Sequence, residues 1–369
     1  MTRLGDVCAI RYGKDHKKLS DGSIPAYGSG GIIRYVDTAI CEKPSVLIPR
    51  KGTLGNLFYT DKPFWTVDTL FWTNIDQTKI VPKYLYYQLK QKDLASYNVG
   101  TAVPSLTVEI LNEIDFEVPS IDKQKRIVEV LNSFDSKIAL NNQLNDYLAN
   151  LLDAAFANSA KSGSKEFGLP EVVDILSGGT PKTKNAEYWE DGRIPFFTPG
   201  DVTNSVYTLT TEKHITDVGL DNCNSELYPV DTVFLTARGT VGKVAIAGRP
   251  MAMNQSCFAF RGKSIPQSVV FQIIKNAVKT LRAKANGATF AAINTRDLKI
   301  ETVAVPCNKE IAHYDESASK WLDLIRTNEE ENLQLSALRD ILLPKLMSGE
   351  IDVSKVDLTQ LTNNHLADC

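Results

Sequence analysis

The sequence is poor in the residue patterns that carry covalent chemistry. Its six cysteines, Cys8, Cys41, Cys223, Cys257, Cys307 and Cys369, stand singly with no CxxC pair. That spacing speaks against a zinc ribbon and offers no disulfide framework. The four histidines, His16, His214, His313 and His365, are scattered without metal-ligand spacing and read as surface residues. No apolar run approaches the roughly 18 residues needed to cross a bilayer. No secretory signal stands ahead of the first cysteine, so the expected setting is a reducing cytoplasm, away from any membrane.

Catalytic signatures are also missing. An amino-methyltransferase needs an Asn/Asp-Pro-Pro-aromatic motif to hold the target amine and a glycine-rich loop for S-adenosylmethionine, and neither occurs. Gly239-Thr-Val-Gly-Lys-Val244 looks like a phosphate loop but lacks the spacing and the metal-binding hydroxyl. Its counterpart Gly52-Thr-Leu-Gly-Asn-Leu57 has no lysine, which favours a tight strand connection in both places. The acidic run Glu329-Glu-Glu331 lies in a helical stretch and reads as a solvated helix face, not a metal site.

What the chain does have is itself, twice. Val46-Leu-Ile-Pro-Arg-Lys-Gly-Thr-Leu-Gly55 returns as Val233-Phe-Leu-Thr-Ala-Arg-Gly-Thr-Val-Gly242, at an offset of 187 residues. The same offset pairs Pro63 with Pro250, Phe71 with Phe258, Gly100 with Gly287, Leu111 with Leu298, Val118 with Val305 and Pro119 with Pro306. A repeat this long exceeds any solenoid unit and implies two copies of a whole domain with its connector, related by a pseudo-two-fold. At 369 residues, both copies have room for a core of their own.

Each copy opens with short apolar runs between turn signals, such as Ile24 to Ile33 and Arg193 to Gly200, which read as strands and loops. Helical stretches follow at Pro82 to Tyr97 and Pro266 to Ala285, giving an α+β class with a mixed sheet and helices. After Pro119 the period becomes helical through Ile127, Leu131, Phe134, Ile138, Leu148, Leu152 and Ala155. After Pro306 it does so again through Ile311, Ala318, Trp321, Ile325, Leu335, Leu338 and Leu342. So narrow a stripe suits two long helices pairing antiparallel in coiled-coil fashion. Asn141 and Asn145 interrupt the first stripe, and Asn328 and Asn332 the second at the same points. They form either a polar layer that fixes register or a solvated edge. Pro344 should end or kink the second helix.

Charge alone does not announce a nucleic-acid partner. Lys plus Arg minus Asp plus Glu is +1 over residues 1–118, 0 over 119–164, +2 over 165–306 and −6 over 307–369. DNA binding would therefore depend on local cationic clusters and a more basic partner.

Three phrases carry a resemblance: Ile24-Pro-Ala-Tyr-Gly-Ser-Gly-Gly-Ile-Ile33, Leu176-Ser-Gly-Gly-Thr-Pro181, and Leu338-Arg-Asp-Ile-Leu-Leu-Pro-Lys-Leu-Met-Ser-Gly-Glu-Ile351. Together with the duplication and the two long helices, they make the chain resemble the specificity subunit of type I restriction-modification systems over nearly its whole length. The resemblance implies target-recognition domains at 1–118 and 165–306. It implies a first conserved helix with linker at 119–164, a second conserved helix at 307–350 and a tail at 351–369. It implies that each domain reads one half of a bipartite sequence in double-stranded DNA, while the helices set the gap and dock two methylase (M) subunits. The assembly can add restriction (R) subunits. The chain itself would be non-catalytic and hold no cofactor, with S-adenosylmethionine on the methylase and ATP and magnesium on the restriction partner. An orphan or phase-variable subunit working with methylase only, and a pure protein-interaction scaffold, are the alternatives.

Within that frame the DNA-contact candidates are loop cations and base-reading side chains. The first domain offers Arg11, Lys14, Lys17, Lys18, Tyr27, Ser29, Arg34, Tyr35, Arg50, Lys51 and Asn56. The second offers Lys182, Lys184, Tyr188, Trp189, Arg193, Arg238, Lys243, Asn254 and Gln255. Most glycines of these loops are read as turn formers. Trp65, Trp72, Phe258 and Phe260 alternate in strand-like runs and are read as core. The seam between the helices is assigned to Leu131, Phe134, Ile138, Asn141, Asn145 and Leu148 on one side. On the other are Ala318, Trp321, Ile325, Asn328, Asn332 and Leu335.

Overall fold

The strand Ser45–Pro49 is buried along its whole length, as a continuous apolar run with a central place in a sheet requires. It lies between Leu70–Ile75 and Phe58–Thr60, with Cys8–Tyr12 completing an antiparallel four-stranded sheet. Two buried hydroxyls lock its start: Val46 N–H donates to Thr73 Oγ1 at 2.9 Å and Thr73 N–H donates to Ser45 Oγ at 2.9 Å. A second sheet has Asp21–Gly28 at its centre, antiparallel to Gly31–Val36 and parallel to Trp65–Thr66.

The computed structural model describes residues 1–100, 103–284 and 292–356, so Ala285, Gly287, His365, Cys369 and the tail beyond Val356 lie outside the described residues. The chain divides into two compact units, one of residues 1–136 with 335 onward, the other of 137–334. The first holds the two sheets above and the helix Pro82–Lys90. The second has a five-stranded sheet in the order Val173–Ser177, Cys257–Gly262, Val233–Thr236, Val244–Ala247, Tyr207–Thr208. Its three-stranded sheet sets Ile194–Phe197 between Lys213–Ile215 and Ala252–Met253, and its helix is Gln267–Lys284. Each unit is thus α+β. The helix expected over Pro82 to Tyr97 stops at Lys90 and is followed by a 3-10 turn, Leu94–Tyr97.

Two helices of 41 residues each, Ile121–Lys161 and Asn308–Ser348, have both ends related by the 187-residue offset. Pro344 does not end the second one, which runs on to Ser348. It removes one hydrogen bond in the last turn, while burial of Leu343, Leu346 and Met347 holds that turn in place. In the first unit Ile127, Val130, Leu131 and Phe134 share a core with Leu335, Leu342, Leu343, Leu346 and Met347. In the second, Leu148, Leu152 and Phe156 pack with Ile311, Tyr314, Ala318, Trp321, Leu322 and Ile325. Within each unit the paired segments therefore run antiparallel. Leu338 lies off this face and is exposed, because the 3.6-residue period places it at the margin of the stripe centred on Leu343 and Leu346. Ile138 is half-buried.

The asparagines form a hydrogen-bonded layer in the second unit. Asn141 Nδ2 donates to Asn332 Oδ1 at 2.9 Å, Asn328 Nδ2 to Asn145 Oδ1 at 2.8 Å, and Asn332 Nδ2 to Asn142 Oδ1 at 2.9 Å. The acidic run beside them is not a solvated face. Glu329 is buried and accepts from the backbone N–H of Val206 at 3.0 Å and of Tyr207 at 3.2 Å. Burial pushes its carboxyl up to about 7. Glu331 accepts from Asn141 Nδ2 at 2.6 Å and pairs with Lys137 at 3.3 Å. The strand Tyr207–Thr208 docks on this helix and brings two backbone donors that need an acceptor, which accounts for the departure from the sequence reading. Among the described residues, no helix is long and apolar enough to cross a membrane.

Candidate nucleic-acid interface

In the first unit the ends of several strands deliver three loops to one place. The hairpin turn after Gly28 is tied to the loop after Arg50, because Asn56 Nδ2 donates to Ser29 O at 2.8 Å. Gly52, at φ +92°, lies close enough that an added β-carbon would be 3.6 Å from Ser29 Oγ. The loop after Tyr12 joins through Lys14 N–H to Thr66 O at 2.8 Å, while Val67 N–H donates to Tyr27 O at 3.0 Å. Arg50 stacks its guanidinium over the Tyr12 ring at 5.2 Å and donates to Asp68 O.

The second unit repeats these contacts with other side chains. Gly179 N–H donates to Met253 O at 3.1 Å and Asn254 N–H to Phe197 O at 3.0 Å. An added β-carbon on Gly239, at φ +76°, would lie 3.8 Å from Pro199 Cβ. Lys14 thus corresponds to Gly179, Tyr27 to Phe197 and Ser29 to Pro199. The offset shortens from 187 to 170 and then to 165 residues toward the amino terminus of each copy. Gly178 explains the close-packed start of the second loop, since any β-carbon there would collide with Met253 O at 2.3 Å. The loop 237–243 is held by Arg282, which donates to Val241 O at 2.8 Å and Gly242 O at 3.0 Å.

The candidates separate by what their side chains already do. Arg34 is engaged, pairing with Asp21 at 2.7 Å and donating to Leu19 O at 3.1 Å. Asn254 accepts from Ser256 N–H at 3.0 Å, closing its own turn, and Gln255 is bonded to Thr180 Oγ1. Trp189 packs edge-on against Phe196 at 5.3 Å. Tyr188 is half-buried, and its carbonyl accepts from Thr216 N–H. Tyr27 is half-buried against Phe58, and burial raises its hydroxyl pKa. Arg11, Lys14, Lys17, Lys18, Lys51, Lys182, Lys184, Arg193, Arg238 and Lys243 are exposed. None of these ten forms an ion pair among the described residues. Lys14 and Lys51 in the first unit and Arg238 and Lys243 in the second stand on the clustered loops, whereas Arg193 stands at the far end of the strand Ile194–Phe197, beside Ile215.

Sequence reasoning passed over Ile32 and Ile33, which are exposed beside Tyr35 on the strand Gly31–Val36, and over Tyr12, exposed beneath Arg50. His16 is half-buried, with its Nδ1 unpartnered, and so is no plain surface residue. Trp65, Phe258 and Phe260 are buried, and Trp72 is half-buried against Phe64. Among the described residues no group of three His, Cys, Asp or Glu side chains is placed to hold a metal ion.

The comparisons agree with this architecture. The sequence model of the type I restriction modification DNA specificity domain matches residues 1–150 and 161–334. The MjaIX specificity subunit of Methanocaldococcus jannaschii is 30% identical over 172 residues, covering 44% of this chain and 39% of that subunit. The HindI specificity subunit of Haemophilus influenzae is 21% identical over 363 residues, covering 74% of this chain and 78% of that one. The crystal structure of a type I restriction-modification S subunit from M. genitalium has the same fold. Its TM-score is 0.56 at 19% identity, over 94% of this chain and 95% of that one.

Proposed function

We propose the function that follows from what this chain is: it belongs to the type I restriction modification DNA specificity domain family, and each of its loop clusters reads one half of a bipartite duplex target. The observation that carries this reading is the repeated frame. The same backbone hydrogen bonds gather three loops in each unit, yet the side chains on them differ, as two readers of unlike half-sites require. Free cations supply phosphate contacts and fix orientation, while a few side chains at each centre meet base edges.

The two 41-residue helices, each about 60 Å long at 1.5 Å per residue, are proposed to set the gap between half-sites and to dock two methylase subunits. Methyl transfer then belongs to the methylase with its S-adenosylmethionine, and ATP-driven, magnesium-dependent steps to any restriction subunit that joins. This chain supplies recognition and assembly in the cytoplasm and holds no cofactor of its own.

Exchange of the second domain tests the reading. Residues 164–306 begin and end beside each other, with Cys307 N–H donating to Gly163 O at 3.1 Å, so the segment can be replaced as a module. Replacing it with that of a relative should change only one half of the sequence methylated by the complex. A change in both halves would refute the one-domain, one-half-site assignment.

A further inference from the structure

We infer that the strand Gly31–Val36 is an apolar base-reading element of the first unit, presenting Ile32, Ile33 and Tyr35 to thymine methyl groups in the major groove. The inference rests on the DNA-binding reading above. Ile32 is 48% exposed, Ile33 49% and Tyr35 52%. The strand is at the edge of its sheet, where a bare apolar surface invites unwanted pairing and is ordinarily blunted by charge. Its one cation does not blunt it, because Arg34 is turned to Asp21 and Leu19 O.

The strand adjoins the loop cluster. A β-carbon built on Gly28 would be 3.2 Å from Ile33 Cγ2 and 3.7 Å from Val67 Cγ2, and Val67 bonds to Tyr27 beside the loop of Lys14. Ile33 therefore lies on the Gly28 face of the hairpin, while Ile32 and Tyr35, opposite Tyr27 and Pro25, lie on the other. Cations flank the hairpin: Lys18 precedes Leu19, whose carbonyl accepts from Arg34, and Lys51 precedes Gly52, which lies against Ser29; both lysines are exposed and free of ion pairs among the described residues. Free cations around an apolar centre match a duplex, whose phosphates flank its bases, better than they match an apolar protein surface. A β-hairpin can enter the major groove, where the thymine methyl is the apolar feature. Gly31–Val36 is the free edge of its three-stranded sheet, since Trp65–Thr66 pairs on the far side of Asp21–Gly28, with Ala26 and Tyr27. The corresponding strand of the second unit, Lys213–Ile215, bears Lys213 and His214 opposite Phe196 and Pro195, where the first has Arg34 and Tyr35 opposite Ala26 and Pro25. The two residues ahead of Lys213 are Thr211 and Glu212, where the first unit has Ile32 and Ile33, so the apolar reader is specific to the first half-site.

The test uses the chain in complex with its methylase and a duplex carrying the target found by methylation profiling. Each thymine of the first half-site is replaced in turn by deoxyuridine, which removes only the methyl group. Wild-type affinity should fall about fourfold at one or more positions, the worth of one methyl-sized group as a ratio. The double variant Ile32→Ala, Ile33→Ala should bind the thymine duplex more weakly and show no further loss on deoxyuridine at those positions. Its response to deoxyuridine in the second half-site should match wild type, and its unchanged melting curve would show that it folds. Independent, multiplicative losses, no loss with deoxyuridine, or a first half-site without thymine on either strand would overturn the inference. Failure of the wild-type complex to bind any duplex specifically would instead remove the DNA-binding reading itself.

Discussion

Glu329 shows how far one side chain can depart from its sequence context. Its carboxyl rises from an ordinary 4.5 to about 7 because burial outweighs the two backbone donors that favour its charged form. The folded state then holds the proton more tightly than the unfolded chain. Its contribution to stability is full below about pH 4.5 and is lost as pH rises through about 7. Melting of the wild type should therefore decline between these limits by up to roughly 3 kcal/mol more than melting of Glu329→Gln. Parallel pH profiles would show that Glu329 does not titrate in this window. Two exposed cations should behave differently from each other. Lys51→Ala should weaken binding to every duplex and flatten its salt dependence, as loss of a phosphate contact does. Arg238→Ala should weaken binding by about 1–3 kcal/mol only where the second half-site is correct. A uniform loss for Arg238→Ala would make it another phosphate contact.

At the scale of elements, the asparagine layer and the Asp135 cluster join helix to helix. Asn145 and Asn328 are buried partners, so Asn145→Leu alone leaves the Asn328 amide unpaired and should cost about 1–3 kcal/mol. Adding Asn328→Leu should recover most of that loss, measured as a double-mutant cycle in thermal unfolding; simple additivity would mean the pair does not interact. In the first unit Asp135 accepts from Tyr87 Oη at 2.5 Å and pairs with Arg339 at 2.9 Å and Lys83 at 3.4 Å. Burial alone would raise its pKa, but the hydrogen bonds from Tyr87 and Arg339 hold it below the ordinary range. Much of this scale was legible in the sequence. The 187-residue offset marks the helices and the inner strands because buried positions constrain residue type and spacing alike. It fades before Val46 because nine residues separate Val36 from Val46 where seventeen separate Ile215 from Val233, and eleven separate Tyr12 from Ile24 where sixteen separate Ser177 from Ile194. Only the hydrogen bonds align those loops. Nor could sequence show that Arg34 faces Asp21, or that the isoleucine pair of a strand faces outward, since both depend on which neighbour the fold supplies.

At the scale of the whole molecule, the proposed function comes down to two readers and the gap between their half-sites. Matched insertions of four residues between Asn141 and Asn145 and between Asn328 and Asn332 would lengthen each helix by about 6 Å, equivalent to roughly two base pairs. The complex should then methylate the same two half-sites with a wider gap. A folded variant that keeps the original gap would make the helices assembly struts and not the ruler. Methylation profiling of the host genome before and after deletion of the gene asks directly whether this chain specifies a bipartite DNA sequence. One motif, made of two short defined halves at a fixed separation, should lose its methylation and regain it on complementation. An unchanged set of methylated motifs, or the loss of a single continuous one, would contradict it.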